Sequence, residues 1–401
     1  MNLFWIPWAH PVVILCLSGF SKALLSADAL SRRLNPESDG INYNPNGSEF
    51  LWLPQDTYEG QTFFEYASII TLRHAALMFY CSSFNFFSAP DPTDGFVNFV
   101  NASTAFSQGL AYVASNGTVV MQADDFTTLP LGTYRDSVRI TSIKTYTTGL
   151  FILDLNKAPW GCAVWPAFWT VGPNWPAAGE IDVLEGVHDN QHNQITWHTA
   201  NGCFLDPNAT YTGMIVQDNG TNNTDCYAEL DSNSGCAVTE WSTASYGPYF
   251  EAQGGGVIAM KWDENSISVW SFYRAAIPLD ITAGTPNPST WGPPSATLLN
   301  ATCNIDQYFA NHSIVFDITF CGDWAGNSYA TSGCPGTCDE RLIDPANFVN
   351  ATWSINSLRV FRKEPIAAFV SKAQHFGEAV YWPYLSLFIF FMFGGFFGLL
   401  T

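Results

Sequence analysis

The stretch Gly179-Glu180-Ile181-Asp182-Val183-Leu184-Glu185-Gly186 decides how the rest of the chain can be interpreted. It is an apolar, partly β-branched run bounded by glycines and carrying three acids, which predicts a strand. Side chains of a regular strand alternate between two faces, so Glu180 and Asp182 would share one face and Glu185 would point to the other. A one-residue β-bulge would return Glu185 to the first face, and bulges are frequent beside active sites.

The spacing of these acids fits a known division of labour between two carboxyl groups. With one bulged residue, Glu180 and Glu185 lie roughly 13 Å apart at Cα, and their side chains could bring the carboxyls to about 5–6 Å. At that separation one carboxylate can attack an anomeric carbon while the other protonates the leaving oxygen. Asp182 would hold a proton or orient the nucleophile, and its charge would raise the pKa of the acid. An exposed acidic strand face is the alternative interpretation.

Aromatic phrases before the acids, and several phrases elsewhere, resemble one enzyme family. Besides the acidic strand, these phrases are Trp165-Pro166-Ala167-Phe168-Trp169-Thr170, Asn174-Trp175-Pro176, Ser137-Val138-Arg139-Ile140, Gly149-Leu150-Phe151-Ile152, Thr196-Trp197-His198-Thr199, Cys321-Gly322-Asp323-Trp324-Ala325-Gly326 and Ile355-Asn356-Ser357-Leu358-Arg359-Val360. The resemblance is to glycoside hydrolase family 16, and within it to the fungal laminarinase-like endo-β-1,3(4)-glucanases. It extends from about Gly40 to Lys363.

This resemblance implies a fold and a reaction. The expected fold is all-β: a β-jelly-roll sandwich of the concanavalin A-like type, with two curved antiparallel sheets and a concave substrate cleft. The many short predicted strands separated by turn signals favour a sandwich independently. The expected reaction is retaining endo-hydrolysis of β-1,3 or mixed β-1,3/1,4 glucans. Glu180 would be the nucleophile, Asp182 its electrostatic helper and Glu185 the general acid/base.

Substrate contacts are expected from aromatic and polar side chains near the acids. Core packing is the alternative for any single tryptophan, since tryptophan is often largely buried. A structural histidine and a surface ion pair are the alternatives for the two basic residues. The expected substrate-binding residues are Arg139, Trp165, Trp169, Trp175, His198 and Trp324.

Two other functions remain open from the sequence. A cell-wall transglycosylase would use the same acids but pass the sugar to another glucan instead of water. The wall crosslinkers of this family usually carry an unbulged E-x-D-x-E motif, whereas this chain has one more residue. A noncatalytic glucan-binding wall protein is the second alternative, and the intact Glu180, Asp182 and Glu185 argue against it.

Composition limits the choice of partners. Charged residues make up 12% of the 401 residues, aromatic residues 15%, and the formal net charge is −20. Such a negative charge opposes binding to nucleic acid or anionic lipid, and low charge with many aromatics fits a neutral polymer such as β-glucan. We expect a monomer that uses no organic cofactor. A structural calcium ion is conceivable, although no loop in the sequence indicates one.

The two ends of the chain predict export and attachment. Residues 1–29 resemble a secretory signal peptide, with a membrane anchor as the alternative, and residues 30–40 read as a linker. The predicted hydrolase domain covers residues 41–363, followed by a spacer at 364–378. Residues 379–400 form an apolar tail that is long enough to span a bilayer and resembles a lipid-anchor (GPI) attachment signal. Both interpretations of the tail place the protein at the outer face of the plasma membrane, the cell surface or the wall.

Nine N-x-S/T triplets predict a glycosylated, secreted surface. The asparagines are Asn46, Asn101, Asn116, Asn208, Asn219, Asn222, Asn300, Asn311 and Asn350.

One segment departs from the family pattern and carries an odd cysteine. Residues 66–83 separate Phe64 and Glu65 from Phe84, which follow one another almost directly in the family. We interpret this segment as a short unspliced intron, with a genuine inserted loop or helix as the alternative. Without Cys81 and without Cys16 of the predicted signal, eight cysteines remain, enough for four disulfides. Their pairing does not follow from the sequence, although Cys334 and Cys338 could close a local loop.

Overall fold

The structure is a computed structural model, and it describes residues 50–365 except 73–74 and 231–232, without the side chains of residues 66–80. The strands are β1 Phe50–Glu59, β2 Glu65–Leu72, β3 Ala75–Ser82, β4 Phe84–Phe86, β5 Val97–Phe99, β6 Ala111–Val113, β7 Val119–Gln122, β8 Arg135–Ser137, β9 Arg139–Tyr146, β10 Gly149–Lys157, β11 Val164–Val171, β12 Glu180–Glu185, β13 Gln194–His198, β14 Met214–Ile215, β15 Gln217–Asp218, β16 Thr221–Asn222, β17 Cys236–Thr239, β18 Gly256–Trp262, β19 Ser266–Tyr273, β20 Ala296–Leu299, β21 His312–Phe320 and β22 Thr352–Pro365.

Helices in the described residues are short, as the sequence predicts. The α-helices are α1 Ala102–Ser107, α2 Gly247–Ala252, α3 Leu279–Thr282, α4 Ile305–Tyr308 and α5 Cys338–Arg341. The 3-10 turns are Gly60–Thr62, Arg274–Ala276, Pro288–Thr290, Tyr329–Thr331 and Pro345–Phe348, and Gly322–Gly326 forms a π-helical turn. Within the described ranges, no helix has the length and apolar character needed to cross a membrane. The predicted signal peptide and apolar tail lie outside those ranges.

Two eight-stranded antiparallel sheets make up the domain, which confirms the predicted all-β sandwich. The first, which we call the supporting sheet, has the order β20-β19-β18-β10-β22-β7-β6, with β1 also paired to β22. The second, the cleft sheet, has the order β14-β17-β13-β12-β11-β21-β9-β4. The acidic strand β12 therefore lies in the middle of the cleft sheet, where it has a partner on each side.

The core lies between the two sheets because their strands alternate apolar and polar residues. Phe316 of β21 contacts Trp353 of β22 edge to face, at 5.4 Å between ring centroids. Phe168 of β11 stacks on Phe316 at 4.7 Å, and Trp197 of β13 is fully buried in the same core cluster. The opposite faces of β11, β12, β13 and β21 are left to line a cleft.

Strand β1 is a feature that the sequence analysis missed. It pairs with β22 along its whole length, with a register shift between Pro54 and Asp56. Proline and an acidic residue in the middle of a run argue against a strand, and an edge position with an irregular register tolerates both. The predicted hairpin of β18 and β19, with its turn at Asp263-Glu264-Asn265, is present.

Among the described residues, four disulfides join the eight cysteines that the sequence analysis sets aside for them. Cys81, which that analysis leaves over as an odd cysteine, is disulfide-bonded as well, so no described cysteine is free. The suggested local loop between Cys334 and Cys338 is wrong. Each of these two cysteines pairs with a residue beside a strand of the cleft sheet. The pairs are Cys162–Cys334, Cys203–Cys303, Cys226–Cys236 and Cys321–Cys338.

The predicted glycosylation sites are mostly accessible. Asn46 lies outside the described residues, and of the other eight only Asn350 is less than fully exposed. The Asn101 side-chain oxygen caps α1 by accepting a hydrogen bond from Thr104 N, which leaves the side-chain nitrogen available to a glycan. Accessibility permits glycosylation, which itself stays a prediction.

The suspected insertion forms a hairpin of its own. Strands β2 and β3 pair only with each other, in register from Glu65 opposite Ser82 to Leu72 opposite Ala75. At the base of this hairpin, Ser83 N donates to Phe64 O over 2.8 Å. The residues that enter and leave the hairpin are thus held close together by the core, so the segment can be removed without pulling the core apart.

We predict that a chain lacking residues 66–83 still folds and melts in one cooperative transition. Phe63 and Phe84 are buried and stack at 5.3 Å, and this contact is retained when the hairpin is deleted. Circular dichroism melting of the deletion variant and of the full chain makes the comparison. Sequencing of the transcript is the companion measurement: an uninterrupted coding sequence through this region would reject the intron interpretation.

Candidate active site

The acidic strand β12 contains the predicted β-bulge. Its pairing with β11 skips Val183, since Phe168 pairs with Leu184 and Trp169 pairs with Asp182. Val183 and Leu184 are consecutive, yet both side chains are fully buried in the core. The extra residue therefore shifts the alternation by one, and the acid that follows Leu184 faces the same side of the sheet as Asp182.

Glycines fix both ends of this strand. Gly179 has φ of 79°, and a Cβ there would lie 2.5 Å from both the Phe309 ring and the backbone oxygen of Tyr308. At the other end, a Cβ on Gly186 would lie 2.7 Å from the Tyr246 ring. These distances are too short for any side chain, so the two glycines that mark the strand in the sequence are required by packing.

A cleft of about 730 Å³ lies over the bulged strand. The structure brings every residue of the predicted site together along this cleft. These are the predicted catalytic residues Glu180, Asp182 and Glu185, and the predicted substrate contacts Arg139, Trp165, Trp169, Trp175, His198 and Trp324.

At one end of the strand, Glu185 accepts a hydrogen bond from Trp165, which in turn contacts Trp324. Trp165 Nε1 donates to Glu185 Oε1 over 2.7 Å, and the Trp324 ring meets Trp165 edge to face at 6.0 Å. The indole N–H of Trp165 is therefore used in the hydrogen bond to Glu185. Trp324 lies beside Trp165 in the wall of the cleft. Trp165 thus orients a carboxyl group, a role that the sequence analysis did not assign to it.

At the other end, Glu180 pairs in register with His198 of β13. His198 Nε2 lies 3.2 Å from Asp182 Oδ2, so the histidine contacts the middle acid. Trp175 lies in the loop between β11 and β12, and its side chain is 42% exposed. The peptide bond between Trp175 and Pro176 is cis. The exposed Trp175 ring offers a flat apolar surface over the Glu180 end of the cleft.

A fourth acid, Asp317, belongs to this cleft and was missed by the sequence analysis. It lies on β21, where Trp169 Nε1 donates to its Oδ2 over 2.9 Å. Arg139 pairs with Asp317 in register, and its guanidinium lies 5.0 Å from the centre of the Trp169 ring and 4.6 Å from that of Phe87. The sequence does contain a signal for Asp317, which is the single charged residue within the apolar run Ile314 to Phe320. Burying a charged group in a core strand is costly, so such an acid indicates a specific partner or a function.

Burial raises the pKa of Glu180, Asp182, Glu185 and Asp317. It raises the pKa of Glu180 to about 8, aided by the charge of Asp182 and opposed by His198, the Trp175 indole and Arg139. Burial and then the charge of Asp317 raise the pKa of Asp182. The pKa of Glu185 lies well above its usual range through burial and then Asp182. Like charges so close together in a water-poor cleft cannot all ionise at neutral pH, so the group keeps protons that chemistry can use.

One cluster in the cleft has a spacing that a metal ion could use. Glu180, Asp182 and His198 each present one ligand atom, and these atoms lie within 4.8 Å of one another. The same closeness lets the three side chains share protons.

Comparison with known proteins agrees with this geometry. The family model described as "XgeA-like, catalytic GH16 domain" matches residues 84–361. The chain belongs to glycoside hydrolase family 16. It is therefore a glycoside hydrolase, and the matched segment contains the whole cleft described above.

Individual relatives share this domain at moderate identity. A probable glycosidase of Schizosaccharomyces pombe is 40% identical over 310 residues, which cover 76% of this chain and 68% of that protein. The endo-1,3(4)-beta-glucanase xgeA of Emericella nidulans is 39% identical over 70% of this chain, but this chain spans only 45% of its length.

Two solved structures share the fold. GH16 laminarinase 16A from Phanerochaete chrysosporium, with β-glucans in its donor and acceptor sites, is 38% identical with a TM-score of 0.70, covering 78% of this chain and 99% of that one. An elongating GH family 16 beta-1,3-glucosyltransferase is 36% identical with a TM-score of 0.68, covering 78% of this chain and 100% of that one. The predicted jelly-roll fold is thus confirmed.

The raised pKa values predict how stability depends on pH. Glu180 is ionised above about pH 4.3 in the unfolded chain but stays protonated up to about 8 in the folded one. The folded state therefore binds more protons in this window, and its stability falls as pH rises from about 4.3 through 8. We predict that Glu180→Gln raises the melting temperature at pH 8 and leaves it nearly unchanged at pH 4.

Thermal unfolding between pH 4 and pH 8 measures this difference. Glu264→Gln is a control of opposite sign. Glu264 lies on the turn between β18 and β19, outside the cleft, where burial is outweighed by hydrogen bonds and the charge of Lys363, which lower its pKa, so this variant should lose stability at pH 8. An equal pH slope for Glu180→Gln and the unaltered chain would contradict the expected protonation of Glu180.

Proposed function

We propose that this chain hydrolyses internal bonds of β-1,3 or mixed β-1,3/1,4 glucans with net retention at the anomeric carbon. The observation that carries the proposal is the bulge at Val183, which puts Glu180 and Glu185 on the same face of one strand. The names of the fungal relatives and of laminarinase 16A support the same substrate class. Family members with two such acids retain configuration through a covalent intermediate.

In the first step, Glu180 attacks the anomeric carbon and forms a glycosyl-enzyme. Glu185 gives its proton to the departing glycosidic oxygen as the carbon–oxygen bond breaks, so the leaving chain departs as a neutral alcohol. The raised pKa of Glu185 keeps this proton available at neutral pH. The Trp165 indole N–H keeps the Glu185 carboxyl directed along the cleft.

In the second step, Glu185 works as a base. It removes a proton from a water molecule, which attacks the anomeric carbon from the side that the leaving chain vacated and releases Glu180. Asp182 lies between Glu180 and Glu185. Because the three acids cannot all be ionised at once, Asp182 can hold a proton while Glu180 is ionised. His198, 3.2 Å from Asp182, can stabilise its charge when Glu180 must be ionised for attack.

Aromatic rings and one arginine supply the substrate contacts. A sugar offers apolar C–H faces that pack on flat rings and hydroxyls that hydrogen-bond to polar groups. The exposed Trp175 ring and the cleft face of Trp324 are suited to the first role, on either side of the reacting bond. Arg139 has a buried Nε without a hydrogen-bond partner, so a sugar hydroxyl could satisfy its guanidinium.

Product analysis tests this proposal. We predict that the chain releases β-anomers from laminarin or lichenan at the earliest times in NMR spectra, and that Glu180→Gln releases no product. Glu264→Gln keeps the activity, and chelation with EDTA leaves the initial rate unchanged because carboxyl groups alone perform the steps. Initial release of α-anomers would contradict retention.

A transglycosylase is the second candidate function. Its support is the elongating beta-1,3-glucosyltransferase that is 36% identical to this chain. The same two steps apply, except that a sugar hydroxyl replaces water in the second. Chain lengths in the NMR assay separate the two: shorter products mean hydrolysis, and products longer than the added oligosaccharide mean transfer. Binding without any product would favour the noncatalytic wall protein.

We propose that the protein is secreted, N-glycosylated and held at the outer face of the plasma membrane through residues 379–400. Four disulfides support an oxidising compartment, and the exposed sequons support glycosylation. We predict that the cell-surface protein loses mass on treatment with an N-glycosidase and is released by a phosphatidylinositol-specific phospholipase C. Release by detergent alone would favour a membrane helix.

A further inference from the structure

The bulge in β12 leaves two backbone groups without their ladder partners. Between the pairs Asp182–Thr196 and Glu185–Gln194, two residues of β12 lie opposite one residue of β13. The side chain of Asn193, the residue just before β13, takes the place of the missing partners. Its Oδ1 accepts from Glu185 N over 2.8 Å, and its Nδ2 donates to Val183 O over 3.0 Å.

A side-chain amide offers the same donor and acceptor as a peptide group, which is why an asparagine fits this position. Asn193 is fully buried. Its backbone N–H donates to Ser245 Oγ over 2.9 Å, and its backbone oxygen accepts from Glu240 N over 2.9 Å. Because its nitrogen faces two acceptors and its oxygen faces an N–H, only one orientation of the amide satisfies every partner.

Glu240 fixes the orientation of the Asn193 amide through hydrogen bonds of its own. Its Oε1 accepts from Asn193 Nδ2 over 3.0 Å and from Ser271 Oγ, and its Oε2 accepts from Ser295 Oγ over 2.9 Å. Ser271 lies on β19 and Ser295 directly precedes β20, so these two bonds connect Glu240 to the supporting sheet. Glu240 is 3% exposed, and a carboxyl group buried this deeply is costly unless its partners are fixed.

We propose that Asn193, oriented by Glu240, is a positioning residue for the acid/base Glu185. The inference rests on the proposed function of Glu185 and adds to it the element that directs this side chain. A slip of one residue in a strand turns every side chain to the opposite face. By bonding to Val183 O and Glu185 N together, the amide holds β12 in the bulged register, in which Glu185 faces the cleft and meets Trp165.

If Asn193 positions the acid Glu185, its replacement should affect substrates differently according to their leaving groups. Loss of a residue that only stabilises the fold would not produce this difference. General acid assistance matters for a glucan, whose leaving group is a poor one, and matters little for an aryl glycoside with an activated leaving group such as dinitrophenol. General acid catalysis contributes about 10²- to 10⁴-fold. The residues proposed to bind substrate, such as Trp175 and Arg139, do not touch Asn193, so KM should change little.

The test compares laminarin with a dinitrophenyl β-1,3-glucobioside as substrates. We expect Asn193→Ala to lower kcat/KM on laminarin by about 10- to 100-fold and kcat/KM on the aryl substrate by less than about threefold, because kcat/KM reports the first step, in which Glu185 acts as the acid. Its pH profile on laminarin loses the alkaline limb that reports the acid form of Glu185. Glu240→Gln, whose amide oxygen still accepts from Asn193, retains most of the activity, whereas Glu240→Ala behaves like Asn193→Ala.

Ser295→Ala is the matched control, because it removes a bond to Glu240 that does not touch the bulge. It should lower the melting temperature without changing the ratio of the two activities. Equal losses on both substrates for Asn193→Ala, or no loss on either, would overturn the proposal. If Asn193→Ala does not fold, Asn193→Asp, which keeps Oδ1 and loses both donated bonds, answers the same question.

A crystal structure of the Asn193 variant gives a readout that does not depend on activity. The proposal expects the Glu185 carboxyl to leave hydrogen-bond distance of Trp165 Nε1, and an unchanged Glu185 would overturn it. Failure of the proposed function appears differently, as an unaltered chain that cleaves neither substrate.

Discussion

The structure of the site depends on one constraint, which is that a single strand must bury apolar side chains on one face and hold three acids on the other. Ile181, Val183 and Leu184 each contribute about 1.5–3 kcal/mol by leaving water. This burial opposes the cost of placing the acids in a cleft where burial raises their pKa values. The bulge satisfies both requirements, because it buries two consecutive side chains, Val183 and Leu184, in the core and so places all three acids on the opposite face.

The surroundings of the bulge follow from this constraint. The bulge shifts the register of β12 against both of its neighbours, and on the β13 side a side-chain amide replaces the missing backbone partner. This amide is tied to the supporting sheet through Glu240, so the position of one acid depends on contacts between both layers of the sandwich. Trp165 holds the same acid from the cleft side. Glu185 is thus restrained from two directions, which is what a proton donor needs if it is to meet a fixed glycosidic oxygen.

Much of this site could be predicted from the sequence, because its information is local. The spacing of Glu180, Asp182 and Glu185 contains the bulge, and period-two alternation assigns their faces. The long-range partners were not predictable in the same way. Asp317 lies 132 positions after Glu185 and meets the site only because β21 is the neighbour of β11. The pairing of Cys334 with Cys162 spans 172 residues and depends on the same sheet order, so proximity in sequence gave the wrong partner.

The two ends of the cleft differ in the groups that favour the ionised form of a carboxyl group. Glu180 has His198, Arg139 and the Trp175 indole to favour its ionised form, whereas Glu185 has only the Trp165 N–H and a more distant His198 against burial and two neighbouring carboxylates. Burial raises the pKa of both acids, but more neighbouring groups favour the ionised form of Glu180 than that of Glu185, which is the direction that the proposed roles of nucleophile and acid require. Asp182 lies between them and repels charge on both, so a proton held on Asp182 relieves Glu180. The same strand that aligns the acids thus also divides their roles.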